Sequence, residues 1–104
     1  VDGDSDDGAR EVVLDLVCAI PPGRVSTYGD LARLASDILP TPVTARMVGR
    51  HLRRAGPDVP WWRVVGHDGR LPPGLDVTAQ RALLTEGVPL RGSRVDVRAA
   101  RWSG

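Results

Sequence analysis

The sequence has no lysine and no phenylalanine, and it holds one cysteine (Cys18), one methionine and one tyrosine. A single cysteine excludes a disulfide within the chain and any zinc site built on several thiolates. No metal site and no cofactor are expected. No apolar run approaches the roughly 20 residues needed to span a bilayer. The acidic start differs from the basic-then-apolar pattern of a secretory signal, so a cytoplasmic protein with no membrane partner is expected. The rest is ordinary for one soluble domain: 104 residues, 41% hydrophobic and 26% charged. Such a chain should bury roughly two-thirds of the surface its unfolded form exposes, enough to fold without a covalent staple. It is too short for a cofactor domain plus a substrate domain.

The near-neutral total hides an uneven charge distribution. All 14 basic residues are arginine, and four of the 13 acids (Asp2, Asp4, Asp6 and Asp7) lie in Val1–Gly8. Beyond that tip, 14 arginines stand against 9 acids, a net +5. Arginine is the residue of planar, bidentate phosphate and base recognition. The expected organisation is an acidic, disordered tip at residues 1–8 and a single basic domain at 9–104, a balance that leans towards nucleic acid. Codon usage is a second explanation for an all-arginine composition.

Along the chain, Val13, Val17 and Ile20 recur at helical spacing within Ala9–Ile20, until Pro21-Pro22-Gly23 ends the pattern. Cys18 falls inside this helix and reads as a small buried hydrophobe. A second helix starts near Thr27, with Thr27 and Asp30 at capping-box spacing and Leu31, Leu34, Ala35 and Ile38 on its apolar side. Thr41 is a candidate N-cap and Pro42 a candidate first residue of a third helix, roughly Val43–Arg54.

That third helix carries two stripes. Ala45, Val48 and Leu52 form an apolar one, and Arg46, Arg50 and Arg53 form a basic one beside Gly49. A solvated basic face is the plain reading. Gly49 argues for more, because glycine in a helix interior costs about 1 kcal/mol against alanine. On the arginine face it removes bulk and admits another backbone. Two helices joined by a short proline-containing connection, the second of them basic, resemble a helix-turn-helix. Trp62–Val65 reads as a strand, His67-Asp68-Gly69 as a turn and Arg70-Leu71 as a return strand, together a small wing. Asp76 is placed as the cap of a fourth helix, about Val77–Glu86, with Ala79, Ala82, Leu83 and Leu84 inward. Val88–Leu90 and Val95–Val97 are short and strand-like. The expected fold is mainly α with a small β wing, a winged helix-turn-helix domain.

Trp61 and Trp62 stand side by side in a chain with only three tryptophans. On a strand, neighbours point to opposite faces, so both cannot fill one core. One of the pair should line a surface or pocket. Here the sequence resembles the DNA-binding domain of the O6-alkylguanine-DNA alkyltransferases, and more closely the alkyltransferase-like proteins. The resemblance runs from about Val12 to Gly87. It rests on Ile20-Pro21-Pro22-Gly23-Arg24-Val25-Ser26-Thr27-Tyr28-Gly29, on Ala45-Arg46-Met47-Val48-Gly49, on Pro60-Trp61-Trp62-Arg63-Val64-Val65 followed by Asp68-Gly69, and on Leu83-Leu84-Thr85-Glu86-Gly87.

The transferases read Pro-Cys-His-Arg-Val in the third block. There the cysteine takes the alkyl group, the histidine activates it through a water, and a glutamate orients the histidine. Trp61 stands at the cysteine position and Trp62 at the histidine position, while Glu86 matches the glutamate. Trp62 departs also from the Trp-His of the alkyltransferase-like proteins. An indole offers neither thiolate nor base. The resemblance therefore implies a non-enzymatic sensor with no catalytic residue. It would bind O6-alkylguanine in duplex DNA through the minor groove, flip the base into a pocket and hand the lesion to nucleotide excision repair proteins. It further implies that Tyr28 helps rotate the nucleotide and that Arg46 fills the vacated space. Thr44, Ala45, Gly49, Arg50 and Arg53 would complete the DNA contact, and Tyr28, Trp61, Arg63 and Val64 would form the lesion pocket. A monomer is expected, associated with the nucleoid in a bacterium.

A winged-helix transcriptional regulator shares the basic stripe, but it gives no reason for Tyr28, Arg46 and Trp61 to occupy these spacings. A residual enzyme using Cys18 as acceptor is the weaker rival, because Cys18 sits on an apolar helix remote from the tryptophan block.

Overall fold

The computed structural model describes residues 8–104 with their side chains and the backbone of residues 2–7. Except for Gly8, the expected acidic tip at Val1–Gly8 lies outside the fully described residues. Helix α1, Asp2–Ala19, turns Ala9, Val13 and Val17 into the core, with Ile20 continuing the stripe just past its end. Cys18 is exposed, contrary to the expectation of a buried thiol. It follows Val17 by one residue, about 100° around the helix, and that step carries it off the packed stripe.

Strand β1, Ser26–Thr27, leads straight into α2, Tyr28–Ile38, and the Thr27 hydroxyl accepts the Asp30 N–H at 3.0 Å. Asp30 does not complete a capping box. Its carboxylate instead receives Arg101 Nε and Nη2 at 2.8 and 2.9 Å. This fork closes the C-terminal segment over the start of α2. Around it, Val25 N–H donates to Ala100 O at 2.9 Å and Trp102 N–H donates to Val25 O at 2.7 Å.

The Arg101 hydrogen bonds hold the Asp30 carboxyl below its ordinary value against the opposing effect of burial, and the charges of Arg101 and Arg33 add to the lowering. In acid the unfolded chain therefore takes up more protons here than the folded one. The clasp contributes in full above the ordinary aspartate range, near pH 4, and its contribution drains away as pH falls through the lower folded value. Arg101→Ala should lower the melting temperature at neutral pH and flatten its decline in acid. Thermal melts between pH 2 and 7 check both, and parallel curves for wild type and variant would contradict the clasp.

Helix α3, Ala45–Ala55, begins later than the sequence predicts. Thr44, not Thr41, is the cap, accepting the Met47 N–H at 3.2 Å. The delay has a local cause. Val43 N–H donates to Ser36 Oγ at 2.8 Å, and that hydroxyl donates back to Val43 O at 3.1 Å. Val43 is thereby buried and tied to α2, and the helix can start only beyond it. Val48, His51 and Leu52 face inward, whereas Ala45, expected on the apolar stripe, is exposed. Helices α1, α2 and α3 pack together around Leu31, Ala35 and Val48, all fully buried.

The tryptophan block is not a strand. Trp61–Arg63 forms one 3-10 turn after Pro60, closed by Arg63 N–H to Pro60 O at 3.0 Å. Only Val64–Val65 is extended, as β2, and it pairs in parallel with β1, Ser26 opposite Val64 and Thr27 opposite Val65. The expected wing at residues 62–71 is therefore displaced. Its turn survives as Gly66 N–H to Arg70 O and Gly69 N–H to Gly66 O, both 2.9 Å, but Arg70-Leu71 is not a strand. The antiparallel hairpin lies later, in β3, Leu90–Arg91, and β4, Arg94–Val95. Gly69 joins the two pieces. Its φ is +85°, and a Cβ there would overlap the Val95 carbonyl oxygen, so only glycine fits.

Helix α4, Asp76–Thr85, starts one residue before the expected span, so Asp76 is its first residue and Leu75 takes the cap position. Ala79 and Leu83 are buried, while Leu84, expected inward, is 60% exposed. The short α5, Val97–Ala100, covers part of what read as a strand. A second core, with Val25, Val65, Ala79, Leu83 and Val95, sits under this half. The architecture is mainly helical with a small sheet, and the helix-turn-helix pair α2–α3 lies beside the tryptophan turn. Among the described residues, no helix is long and apolar enough to cross a membrane.

Candidate functional site

An open cleft of about 420 Å³ lies where these elements meet. Helix α2 contributes Tyr28, its first residue, and α3 contributes Gly49, Leu52 and Arg53, with Gly56 just beyond. Trp61 comes from the 3-10 turn, and Pro72, Pro73 and Leu75 come from the segment leading into α4. A smaller hollow of about 260 Å³ shares Tyr28, Pro72 and Pro73 with it and adds His67, Asp68 and Arg70. Among the described residues no carboxylate lines the larger cleft, and Arg53 is its one charged residue. Burial pushes the Tyr28 phenol above its ordinary pKa, and the nearby Arg53 charge opposes the shift only in part. The hydroxyl is thus a neutral donor across the physiological range.

The structure thereby brings Tyr28, Gly49, Arg53 and Trp61 onto one concave surface. Arg46 is exposed in the first turn of α3, beside Ala45 and the cap Thr44, and does not line the cleft. Arg50 is half-buried. Arg63 and Val64 are absent from the lining. Val64 is fully buried in β2, and Arg63 points away into a network with Glu86. Leu52 and Leu75 are lining residues that sequence reasoning missed. Leu52 fitted the apolar stripe of α3 too well to be read as a wall, and Leu75 sat unremarked between a turn signal and a helix start.

Glu86 anchors the other side of the tryptophan turn. It accepts Arg63 Nη2 at 2.8 Å, Arg63 Nε at 3.0 Å, Trp62 Nε1 at 2.9 Å and, more weakly, Gly23 N–H at 3.4 Å. Arg63 Nη1 also donates to Ile20 O at 2.9 Å, closing off the end of α1. Burial alone would raise the Glu86 pKa. The Arg63 and Trp62 hydrogen bonds, the Gly23 N–H and the Arg63 charge outweigh it and hold the group lower. Glu86 is thus a saturated carboxylate, with its donors fixed. Trp61 meets Trp62 edge to face, with centroids 5.9 Å apart and planes at 84°.

Gly49 can be tested against its own surroundings. A Cβ there would stand 3.5 Å from Arg53 Nη1 and 3.9 Å from Tyr28 Cε1, both ordinary contacts. The free fold therefore has room for alanine, which helix propensity favours by about 1 kcal/mol. Gly49→Ala should leave the melting temperature unchanged or raise it. If the bare position serves an approaching nucleic-acid strand, the same variant should bind duplex DNA more weakly. A drop in stability with unchanged DNA affinity would mean that the glycine serves packing instead.

Comparison with known proteins assigns the lineage. Residues 9–88 match the model of the 6-O-methylguanine DNA methyltransferase DNA-binding domain. A protein of Escherichia coli K12 named DNA base-flipping protein is 42% identical over 96% of this chain and 78% of its own length. Alkyltransferase-like protein 1 of Schizosaccharomyces pombe is 43% identical over a shorter stretch, 57% of this chain and 53% of its own length. The crystal structure of S. pombe Atl1 in complex with damaged DNA containing O6-carboxymethylguanine superposes with a TM-score of 0.78, at 28% identity, over 94% of this chain and 97% of that one. With the family model matched over most of its length and relatives that share its sequence and fold, the chain belongs to the 6-O-methylguanine DNA methyltransferase family, among its alkyltransferase-like members.

Proposed function

We propose that this protein is a non-enzymatic sensor of O6-alkylguanine in double-stranded DNA. The observation that carries this reading is the cleft, which faces Trp61 with Tyr28 and the Gly49–Arg53 side of α3 and, among the described residues, is lined by no thiol, imidazole or carboxylate. Alkyl transfer needs a thiolate or activated hydroxyl with a base in reach. The indole of Trp61 is neither, burial holds the Tyr28 phenol in its protonated form, and Glu86 is committed to Arg63 and Trp62. A largely apolar wall with two aromatic rings, Tyr28 and Trp61, suits a flipped base well, since stacking on an aromatic ring is worth about 1–3 kcal/mol.

In this reading α3 enters the minor groove, where Ala45 and Gly49 permit close approach. Arg46, exposed on the leading turn, fills the space left by the extruded nucleotide, and Tyr28 helps rotate that nucleotide outward. Thr44, Arg50 and Arg53 hold the strand around it. Extrusion costs a few kcal/mol of stacking and pairing, least for a damaged base, and this difference is a source of lesion preference. A protein that holds a lesion without repairing it serves by marking it, and nucleotide excision repair proteins are the partners we assign. The relatives named for base flipping and the neighbour bound to O6-carboxymethylguanine support the same reading.

The test is binding to two duplexes identical except for O6-methylguanine or guanine at one position. Preference for the lesion by about tenfold or more is expected. Equal affinity for both duplexes would sink the sensor and favour a helix-turn-helix protein that reads undamaged DNA.

A further inference from the structure

We infer that Trp62 is a positioning residue for the cleft: its indole N–H, fixed by Glu86, holds a ring that in turn holds Trp61 in place as the cleft wall. The inference rests on the reading of that cleft as the lesion pocket. Trp62 lines neither cavity, so it acts behind the surface. Its Nε1–H donates to Glu86 Oε2 at 2.9 Å, and the Arg63 guanidinium carbon lies 5.6 Å from its ring centroid. Arg63 and Glu86 are themselves locked together, each with a side chain only 13% exposed.

Trp61 has no such anchor. Among the described residues its ring N–H finds no hydrogen-bond partner, so packing alone sets its angle. The edge-to-face contact with Trp62, at 5.9 Å and 84°, is the directional part of that packing. Trp61 also packs against both hydrophobic cores, so its angle decides how the cleft wall sits between them. The chain of contacts therefore runs from Glu86 through Trp62 to Trp61 and the cleft. An indole serves here because it supplies both a donor for the carboxylate and a ring to pack against Trp61.

The experiment has a DNA-free arm and a DNA arm. Protein labelled with 5-fluorotryptophan gives a fluorine resonance for Trp61, assigned by its loss in Trp61→Phe. Trp62→Phe keeps a ring but lacks the N–H, and its Trp61 resonance should shift and broaden in the free protein. Its ratio of affinities for O6-methylguanine and guanine duplexes should fall roughly three- to tenfold, the scale of one edge-to-face contact. Affinity for the undamaged duplex should hold. Trp62→His, which restores a ring N–H for Glu86, should recover a sharp resonance and most of the ratio. A role confined to stability would lower the melting temperature of Trp62→Phe while leaving resonance and ratio alone. The inference is overturned if the Trp61 resonance in Trp62→Phe matches wild type, or if the ratio stays at its wild-type value. If the resonance broadens as expected but wild type shows no lesion preference, the positioning stands and the lesion-pocket reading falls.

Discussion

Incubated with duplex DNA bearing radiolabelled O6-methylguanine, the protein should remain unlabelled, and so should its Trp61→Cys variant. The second half of this expectation is the more demanding. Trp61→Cys would place a thiol at the position to which the family resemblance assigns the acceptor, but a thiol with an ordinary pKa near 8.5 is mostly protonated at pH 7. It needs a base. Trp62 carries no lone pair to offer, since its ring nitrogen is a donor only and already bonds Glu86. Glu86 itself is a poor substitute, because Arg63, Trp62 and the Gly23 N–H hold its carboxyl below the ordinary range, far from the pH at which a base works best. The double variant Trp61→Cys/Trp62→His should behave differently. An imidazole donating one N–H to Glu86 presents its other nitrogen towards the turn where Trp61 stood. General-base assistance is worth about 10²–10⁴-fold, so the double variant should transfer label at least about 100-fold faster than Trp61→Cys. Cys18 provides the control. It is exposed on α1 and outside the cleft lining, so Cys18→Ser should change nothing. Label on the wild-type chain would end the non-enzymatic reading, and brisk transfer by Trp61→Cys alone would show that the imidazole is dispensable.

The parts of this site that could be read in advance are those encoded at short range. Thr27 as a cap, Leu31 and Ala35 as the buried face of α2, and Val48 and Leu52 as that of α3 follow from spacing within one helix. Gly49 on the arginine face was visible for the same reason. What escaped depends on distant partners. Asp30 looked like half of a capping box because its true partner, Arg101, lies 71 residues away. The displaced wing has a similar cause. Two-residue strands carry too little alternation to reveal their pairing, and Val64-Val65 chose β1, a parallel partner far back in the chain, over the nearby Arg70-Leu71. A strand is expected from the second of the tryptophan pair, over Trp62–Val65, because β-branched Val64 and Val65 dominate that window. Pro60 and the bond from Arg63 N–H back to its carbonyl wind the pair into a 3-10 turn instead. That turn lets both rings meet edge to face, a geometry that opposite faces of a strand would forbid. Glu86 stood out only through the family resemblance, since nothing local distinguishes a glutamate at the end of a helix.

Arg46→Ala and Trp61→Ala should both erode lesion recognition, and by different routes. Arg46 is exposed in the first turn of α3, outside the cleft lining. Its removal leaves α3 and the remaining arginines able to dock, so affinity for undamaged duplex should fall only as one lost positive charge dictates. The extruded state should suffer more. A planar guanidinium in the vacated stack recovers part of the unpairing cost by stacking and by bonding the orphaned base. Losing it should weaken the lesion complex by about 1–3 kcal/mol, the scale of one bidentate or stacked contact. A 2-aminopurine beside the lesion reports unstacking directly. Wild type should brighten it strongly, and Arg46→Ala should do so much less. Trp61→Ala works from the other side. It strips the aromatic wall from the cleft while leaving α3 untouched, so groove binding should persist and preference for O6-methylguanine over guanine should collapse towards unity. Because Trp61 also packs on both cores, its truncation will cost stability, and binding is best measured well below the melting temperature of the variant. The two signatures separate the finger from the pocket: dim 2-aminopurine with some preference retained for Arg46→Ala, and lost preference with plain-duplex affinity intact for Trp61→Ala. Full discrimination by both variants would mean that neither residue touches the extruded nucleotide, and the flipping model would have to be abandoned for this protein.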